Sequence, residues 1–353
     1  MYNIAIRVDA SVQIGIGHVM RCLTLAQMLK QSLDSHIIFV CAEGLPGKVN
    51  IAIREAGHDL ILISALKSIK VDWNEDARQT IQQLCNYKIH WLIVDHYQLD
   101  YRWEQMLKQH VNHILVIDDL ANRKHDCTAL IDQNLHPAMN ERYNKWVPMQ
   151  CRLFLGPANL LLRSEFAKLR QHRQTVTKFQ HILLNFGGSD PTHETKKWLK
   201  VLLDYPTIIK QVHLHVVAGP ANTEKEVIQQ LCMLFPKADY YDQADMAALL
   251  LGMDAAIGAG GITMWERCFM GVPSAVISVA DNQLESVYEA ERLKLIWNLG
   301  KSECIEEEKF IGWLKTIMND LKLLRIYQHR CLNYMSSAQA DIHPVVEYIK
   351  GEL

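Results

Sequence analysis

Three stretches of the chain combine glycine with residues able to move a proton or hold an anion. The first is Gln13-Ile14-Gly15-Ile16-Gly17-His18. Gly15 and Gly17 permit a tight turn and a close approach of a ligand to backbone N–H groups. His18 is expected in the first turn of the following helix. A helix N-terminus disfavours a cation, so the imidazole there is expected to be neutral and able to accept a proton from water. The same spacing also suits a histidine that only caps the helix or binds an anion. The stretch fails as a dinucleotide fingerprint, because Met20 stands where G-x-G-x-x-G needs glycine and no acidic residue ends the second apolar run at Cys41-Ala42.

The second stretch is Asn185-Phe186-Gly187-Gly188-Ser189-Asp190-Pro191. It reads as strand, turn and helix start, with Pro191 suited to the first helical position. Its glycines and helix N-terminus suit a phosphate, whereas the plainer reading is a turn with Ser189 or Asp190 as N-cap. An inward-pointing Asp190 would repel a phosphate. The third stretch, Gly258-Ala259-Gly260-Gly261-Ile262-Thr263, repeats the pattern with Glu266 one turn along. Free N–H groups and the Thr263 hydroxyl suit a diphosphate, and Glu266 suits a ribose diol. A P-loop is excluded because G-x-x-x-x-G-K-[ST] is absent. Asp281-Asn282-Gln283 adds amide groups at the same rim. Asp9, Asp95-His96-Tyr97, Asp118-Asp119 and Asn134 fall at or just beyond other strand ends, where they could bind sugar hydroxyls, orient a base or simply cap helices. No metal is expected at Asp95 and His96, since neighbours on a strand end point in different directions.

Elements able to position these residues follow from the apolar pattern. Strands are expected at 4–8, 37–41, 60–63, 91–94, 114–117 and 129–131, with helices at 19–31, 48–56, 75–86 and 103–109 between them. A second series has strands at 182–186, 214–218, 255–258 and 275–279 and helices at 192–203, 223–235, 246–251, 263–270 and 283–294. Near-continuous apolar strands alternating with helices predict parallel sheets covered on both faces. The fold class is therefore α/β, with two doubly wound Rossmann-like domains. Such sheets bind ligands outside the carboxyl ends of their strands, where all of the candidates above lie. The expected domains are 1–160, a hinge at 161–177, 178–325, and C-terminal helices at 326–353 that cross the domain boundary.

Composition narrows the function classes. The 353 residues carry 37 Lys+Arg against 39 Asp+Glu, a balance that argues against a nucleic-acid binder. The apolar fraction of 49% argues against disorder. Nine scattered cysteines without a C-x-x-C pair fit neither a disulfide framework nor a zinc ribbon. Arg7 and Asp9 interrupt any N-terminal signal-like core, and Asp254 with several glycines breaks the longest apolar stretch, so no membrane partner is expected. These features point to a reduced, cytoplasmic, soluble protein, a monomer or weak dimer.

The segment 7–21, RVDASVQIGIGHVMR, resembles the opening signature of the UDP-2,4-diacetamido-2,4,6-trideoxy-β-L-altropyranose hydrolases, the UDP-sugar hydrolases of pseudaminic acid biosynthesis. The likeness continues in order through 93–97, Asp118-Asp119, 162–166, 186–190 and 258–266, and covers most of the chain to about residue 300. It implies the two-domain glycosyltransferase B (GT-B) architecture facing a cleft, similar to the glycosyltransferase of peptidoglycan lipid II synthesis. UDP would then bind the C-terminal half, and the sugar would face the N-terminal half. The resemblance places the catalytic histidine at His18. It places UDP contacts at Gly188, Ser189, Gly260, Gly261, Ile262, Thr263, Glu266 and Gln283, and a substrate-contacting arginine at Arg163. No motif accounts for the helices beyond residue 300.

These readings converge on an expected reaction. Neutral His18 accepts a proton as water attacks the anomeric carbon of a UDP-sugar, releasing UDP with inversion and without a cofactor. Gly15, Gly17, Asp9, Asp95, Tyr97 and Asn134 are expected on the sugar side. Two alternatives remain: a GT-B glycosyltransferase that uses a hydroxyl acceptor, and a non-catalytic nucleotide-sugar binding protein.

Overall fold

A computed structural model describes residues 1–10, 16–64, 71–339 and 342–353. The chain divides into two units. The first comprises 1–134, 138–161 and 340–353, and the second 135–137 and 162–339. Residues 162–177, expected as a hinge, thus belong to the second unit, as do 326–339. The terminal helix Pro344–Gly351 returns to the first unit, where its Val345, Val346 and Ile349 join the core beside helix Gly17–Ser32.

The first unit is a seven-stranded sheet in the order β3-β2-β1-β4-β5-β6-β7, with every pairing parallel. Its strands are β1 (Tyr2–Val8), β2 (Ser35–Ala42), β3 (Asp59–Ile63), β4 (Ile89–Asp95), β5 (Val111–Ile117), β6 (Ala129–Asp132) and β7 (Arg152–Leu155). Helix Gly17–Ser32 buries Val19, Cys22, Leu25, Ala26 and Leu29, the three-and-four spacing of one helical face, against Ile4, Ile6 and Val8 of β1.

The second unit repeats the plan in the order β10-β9-β8-β11-β12-β13, again all parallel. Its strands are β8 (His181–Asn185), β9 (His213–Val217), β10 (Ala238–Tyr241), β11 (Ala255–Ala259), β12 (Ser274–Ser278) and β13 (Trp297–Lys301). In each sheet the connection order reverses once, between β1 and β4 and between β8 and β11. Beyond the carboxyl ends of such neighbours, the loops diverge and leave a crevice.

Strands β7, β10 and β13 were not expected from the sequence. Each lies at a sheet edge and is short and mixed in polarity, so no continuous apolar run marks it. Among the described residues, no helix is long and apolar enough to cross a membrane.

Candidate active site

In the first unit, the crevice between β1 and β4 gathers the histidine and its partners. Val8 and Asp95 are register partners at the two strand ends, and His18 and Arg21 share one face of the helix that begins at Gly17. His18 Nδ1 lies 2.6 Å from Asp95 Oδ1. Arg21 forks onto the same carboxylate, with Nε to Oδ2 and Nη2 to Oδ1 each at 2.6 Å. Nη2 also lies 3.0 Å from His18 Nδ1, but Nδ1 cannot both donate to Asp95 and accept from Arg21. The shorter contact, to a full negative charge, selects the Nδ1–H tautomer. Nε2 is then the nitrogen left to accept a proton. Burial alone would raise the Asp95 carboxyl, but Arg21 and then His18 outweigh it and hold the group well below the ordinary carboxylate range.

Asp95 also accepts from the Cys22 thiol at 3.5 Å, which fills its four acceptor positions. Asp9 is saturated in the same way, by two Arg7 nitrogens at 2.5 and 2.9 Å, His96 Nε2 at 3.1 Å and the Ala42 N–H at 2.7 Å. From the sequence, both carboxylates are expected on the sugar side, with orienting a base or capping a helix as the other readings of such strand-end residues. In the structure each already carries four donors and holds other side chains in place, which favours a positioning role over a contact to the sugar. The side chains of Asp95 and His96 diverge, Asp95 toward His18 and His96 toward Asp9.

Tyr97 stands edge-on to the His18 ring, with centroids 4.7 Å apart and planes at 87°. Its hydroxyl bonds Asp119, and burial followed by the Asp119 charge raises the phenol well above its usual range, so it stays protonated. Asp9, His18, Asp95, His96, Tyr97 and Gln98 line a pocket of about 330 Å³, part of it open solvent. The His18 side chain keeps 11% of its surface exposed, so water has access to the ring. Gly17 is exposed at the helix start, and among the described residues nothing lies within 4 Å of the space a Cβ would occupy there. Asn134 follows β6 and donates its backbone N–H to Asp132 at 3.0 Å. Gly15 lies outside the described residues.

In the second unit, the two glycine turns differ. After β8, Gly219 packs onto the turn so closely that a Cβ there would sit 2.4 Å from the Gly187 carbonyl. Asp190 turns back onto the next helix and accepts from the Glu194 and Thr195 N–H groups at 2.9 and 2.8 Å. The helix begins only at Glu194 with His193 at the N-cap position, so Asp190 is not the N-cap residue and Pro191 not the first helical one; the Asp190 side chain caps the helix from three residues upstream of His193. The helix N-terminus expected to bind phosphate is filled by a carboxylate, and only the half-buried Gly188-Ser189 backbone remains.

After β11, helix Ile262–Phe269 has no side-chain cap and no acid in its first turn, so its N-terminal donors stay open to an anion. The Thr263 hydroxyl accepts from Arg267 Nη1 at 3.3 Å, which leaves its own proton to donate. Gln283 Oε1 accepts from the Gly260 and Val279 N–H groups at 3.2 and 3.0 Å, so Gln283 braces this turn through its amide oxygen. Gly260 must be glycine, since a Cβ would lie 2.4 Å from Val287 Cγ2. Desolvation pushes Glu266 up to about 7, against the pull of Arg163 and Arg267. Arg163 pairs with Glu165 at 3.2 Å and lies over the Phe166 ring.

Sequence reasoning missed Arg21 and Arg7. Arg21 was legible as the residue one turn beyond His18. Arg7, by contrast, is a charge inside an apolar run and becomes interpretable only once its partners are known.

No family model matches the chain. The spore coat polysaccharide biosynthesis protein SpsG of Bacillus subtilis is 30% identical over 190 residues, 54% of this chain and 56% of its own. A UDP-2,4-diacetamido-2,4,6-trideoxy-β-L-altropyranose hydrolase of Campylobacter jejuni is 26% identical over 188 residues, 53% of this chain and 61% of its own. The chain thus spans less than two thirds of the length of these curated relatives. Among solved structures, MurG of Acinetobacter baumannii matches with a TM-score of 0.68 at 12% identity, covering 99% of this chain and 100% of that one. The chain has two parallel-sheet α/β domains in the GT-B glycosyltransferase fold, as its sequence implied.

Proposed function

We propose that the chain hydrolyses a UDP-linked 2,4-diacetamido-2,4,6-trideoxyhexose to the free sugar and UDP with inversion at C1. The observation that carries this reading is the His18–Asp95 pair at the β1/β4 crevice, with the ring on a solvent-reaching pocket. Water oxygen bonds to C1 while its proton passes to His18 Nε2. The bond from C1 to the diphosphate oxygen breaks, and its electron pair leaves on UDP. Asp95 stabilises the imidazolium that forms. The first unit supplies the base; the second supplies the nucleotide site. The open N–H groups of Gly261, Ile262 and Thr263, on a turn that Gly260 braces through Gln283, receive with the Gly188-Ser189 turn the charge that develops on the diphosphate. Glu266 accepts from the ribose diol, and Arg163 adds positive charge near the substrate. Gly17 and Asn134 serve as sugar-side contacts, and Tyr97 walls the base. The relative named as a hydrolase of such a sugar supports this substrate class.

Proton NMR with a panel of UDP-diacetamido-trideoxyhexoses tests the proposal. Acceptor-free release of UDP with an inverted anomeric product is expected. The fold is shared with glycosyltransferases, so turnover that requires an added hydroxyl acceptor would favour that alternative, and binding without turnover would favour a carrier.

Two variants refine the roles. Asp95→Asn presents an amide donor to His18 Nδ1 and favours the wrong tautomer. It is expected to lower kcat about 10²–10³-fold with KM little changed, within the usual range of acid–base catalysis. A parallel rise in KM, with kcat unaltered, would mean Asp95 only shapes the binding site. Glu266→Gln is expected to weaken UDP about tenfold, roughly 1.4 kcal/mol, near the lower end of what a hydrogen bond to a charged group contributes because Glu266 is only partly ionised near neutral pH. The same variant should lose little more with 2′-deoxy-UDP, because the contact is already absent there. Equal losses with both nucleotides would place Glu266 away from that hydroxyl.

A further inference from the structure

Strand register in the second unit brings a separate set of ligating side chains together. His181 of β8 pairs with His213 of β9, Leu183 pairs with His215, and Asp239 of β10 pairs with His215. The neighbouring residues Ile182, Leu184, Leu214 and Val216 point into the apolar core, so the three histidines and Asp239 share the opposite face of the sheet. One ring nitrogen from each histidine lies within 4.8 Å of the others. His181 Nδ1 and His215 Nε2 are 3.0 Å apart. A metal–nitrogen distance of about 2.0–2.1 Å places tetrahedral ligand nitrogens about 3.3 Å apart, so small ring rotations suffice to close a site.

We infer that His181, His213 and His215 form a binding site for a divalent transition-metal ion of the zinc class, with Asp239 as the group that orients His213 and His215. Three imidazoles are a donor set suited to zinc, nickel or copper rather than to magnesium or calcium. The outer contacts match what ligating histidines require. His215 turns Nε2 toward His181, while its Nδ1 faces the Tyr241 hydroxyl at 3.2 Å and Asp239 at 3.5 Å. Asp239 also lies 2.9 Å from His213 Nε2. A carboxylate on the second ring nitrogen fixes the tautomer and strengthens the imidazole as a ligand. His215 is buried, while the His213 side chain is 31% exposed, so the cluster is open to an ion from the His213 side.

The site lies at the amino ends of β8 and β9. The Gly187-Gly188 turn lies at the other end of β8, six residues on and therefore on the order of 20 Å away. The ion would clip the short edge strand β10, through Asp239, to β9 and β8. Its effect is on stability rather than turnover.

The test is calorimetric titration of the chelator-stripped 353-residue chain with Zn2+, followed by thermal melts and Co2+ spectroscopy. One equivalent per chain, micromolar or tighter binding, an upward shift in Tm and visible Co2+ absorption of a low-coordinate, nitrogen-ligated centre are expected. His181→Gln/His213→Gln should weaken binding at least 100-fold and abolish the Tm shift while leaving UDP binding unchanged. Should that variant fold poorly, His213→Gln alone is expected to lower affinity at least tenfold. Zinc retained in full by either variant would assign it to exposed thiols such as Cys85 and Cys304 and overturn the proposal, as would no binding to the unsubstituted chain.

Discussion

His18→Phe is expected to retain UDP binding and lose about 10²–10⁴-fold in kcat, the usual contribution of a positioned general base. Phenylalanine keeps the ring and its edge contact with Tyr97 but removes both nitrogens. The open N-terminus of helix Ile262–Phe269 belongs to the second unit, so its affinity for UDP should be unaffected. The variant leaves Asp95 with Arg21, which already forks onto both carboxylate oxygens, so no buried charge is abandoned. That separates the chemical effect from a folding effect. The measurement is single-turnover UDP release together with calorimetric UDP affinity. If His18 merely bound an anion, affinity would fall and the turnover of bound substrate would not. Full activity of the variant would eliminate the base.

The sequence reveals the site residues better than their partnerships. Interior strands, buried on both faces, announce themselves as apolar runs, and the glycine turns that follow them are visible for the same reason. The partner of His18 is 77 residues away and is fixed only by the placement of β1 beside β4, which periodicity does not encode. Asp95 was therefore legible as one of several strand-end carboxylates able to orient a base, but not as the one behind the imidazole. Asp9 shows the same limit. A carboxylate at a strand end can face a ligand or hold its neighbours, and here four donors from three different elements decide the matter. Asp190 and Gly261 contrast instructively. Both precede a helix after a glycine turn, but a short acidic side chain folds back to cap its helix, whereas glycine leaves the donors open. The N-terminus ending in Gly261 is therefore the one available to an anion.

The largest expected effect on stability comes from Arg7→Leu. Arg7 is fully buried on β1 and joins two carboxylates: Asp9, through Nη1 and Nη2, and Asp76, through Nε at 3.2 Å and Nη2 at 2.6 Å. Asp76 also accepts from Trp103 Nε1 at 2.8 Å, so the group ties the β1 end to two helices. Burial would lower the guanidinium and raise Asp9. The mutual attraction outweighs both effects, keeping Arg7 above its ordinary value and Asp9 well below the carboxylate range. Removing one member of such a group strands a buried charge, which typically costs about 3–5 kcal/mol. Denaturation monitored by a first-unit probe should show the loss, with the second unit's transition little changed. The pH dependence gives the sign. In the natural chain, Asp9 contributes stability above the unfolded carboxylate value near 4, and that contribution is lost only as pH falls further, toward its depressed folded value. In Arg7→Leu, burial dominates and raises Asp9, so the folded variant takes up protons before the unfolded chain does. The difference between the two proteins should therefore shrink steadily from pH 7 to pH 4. A difference that is small at pH 7, or that grows as pH falls, would show that the carboxylates do not depend on Arg7.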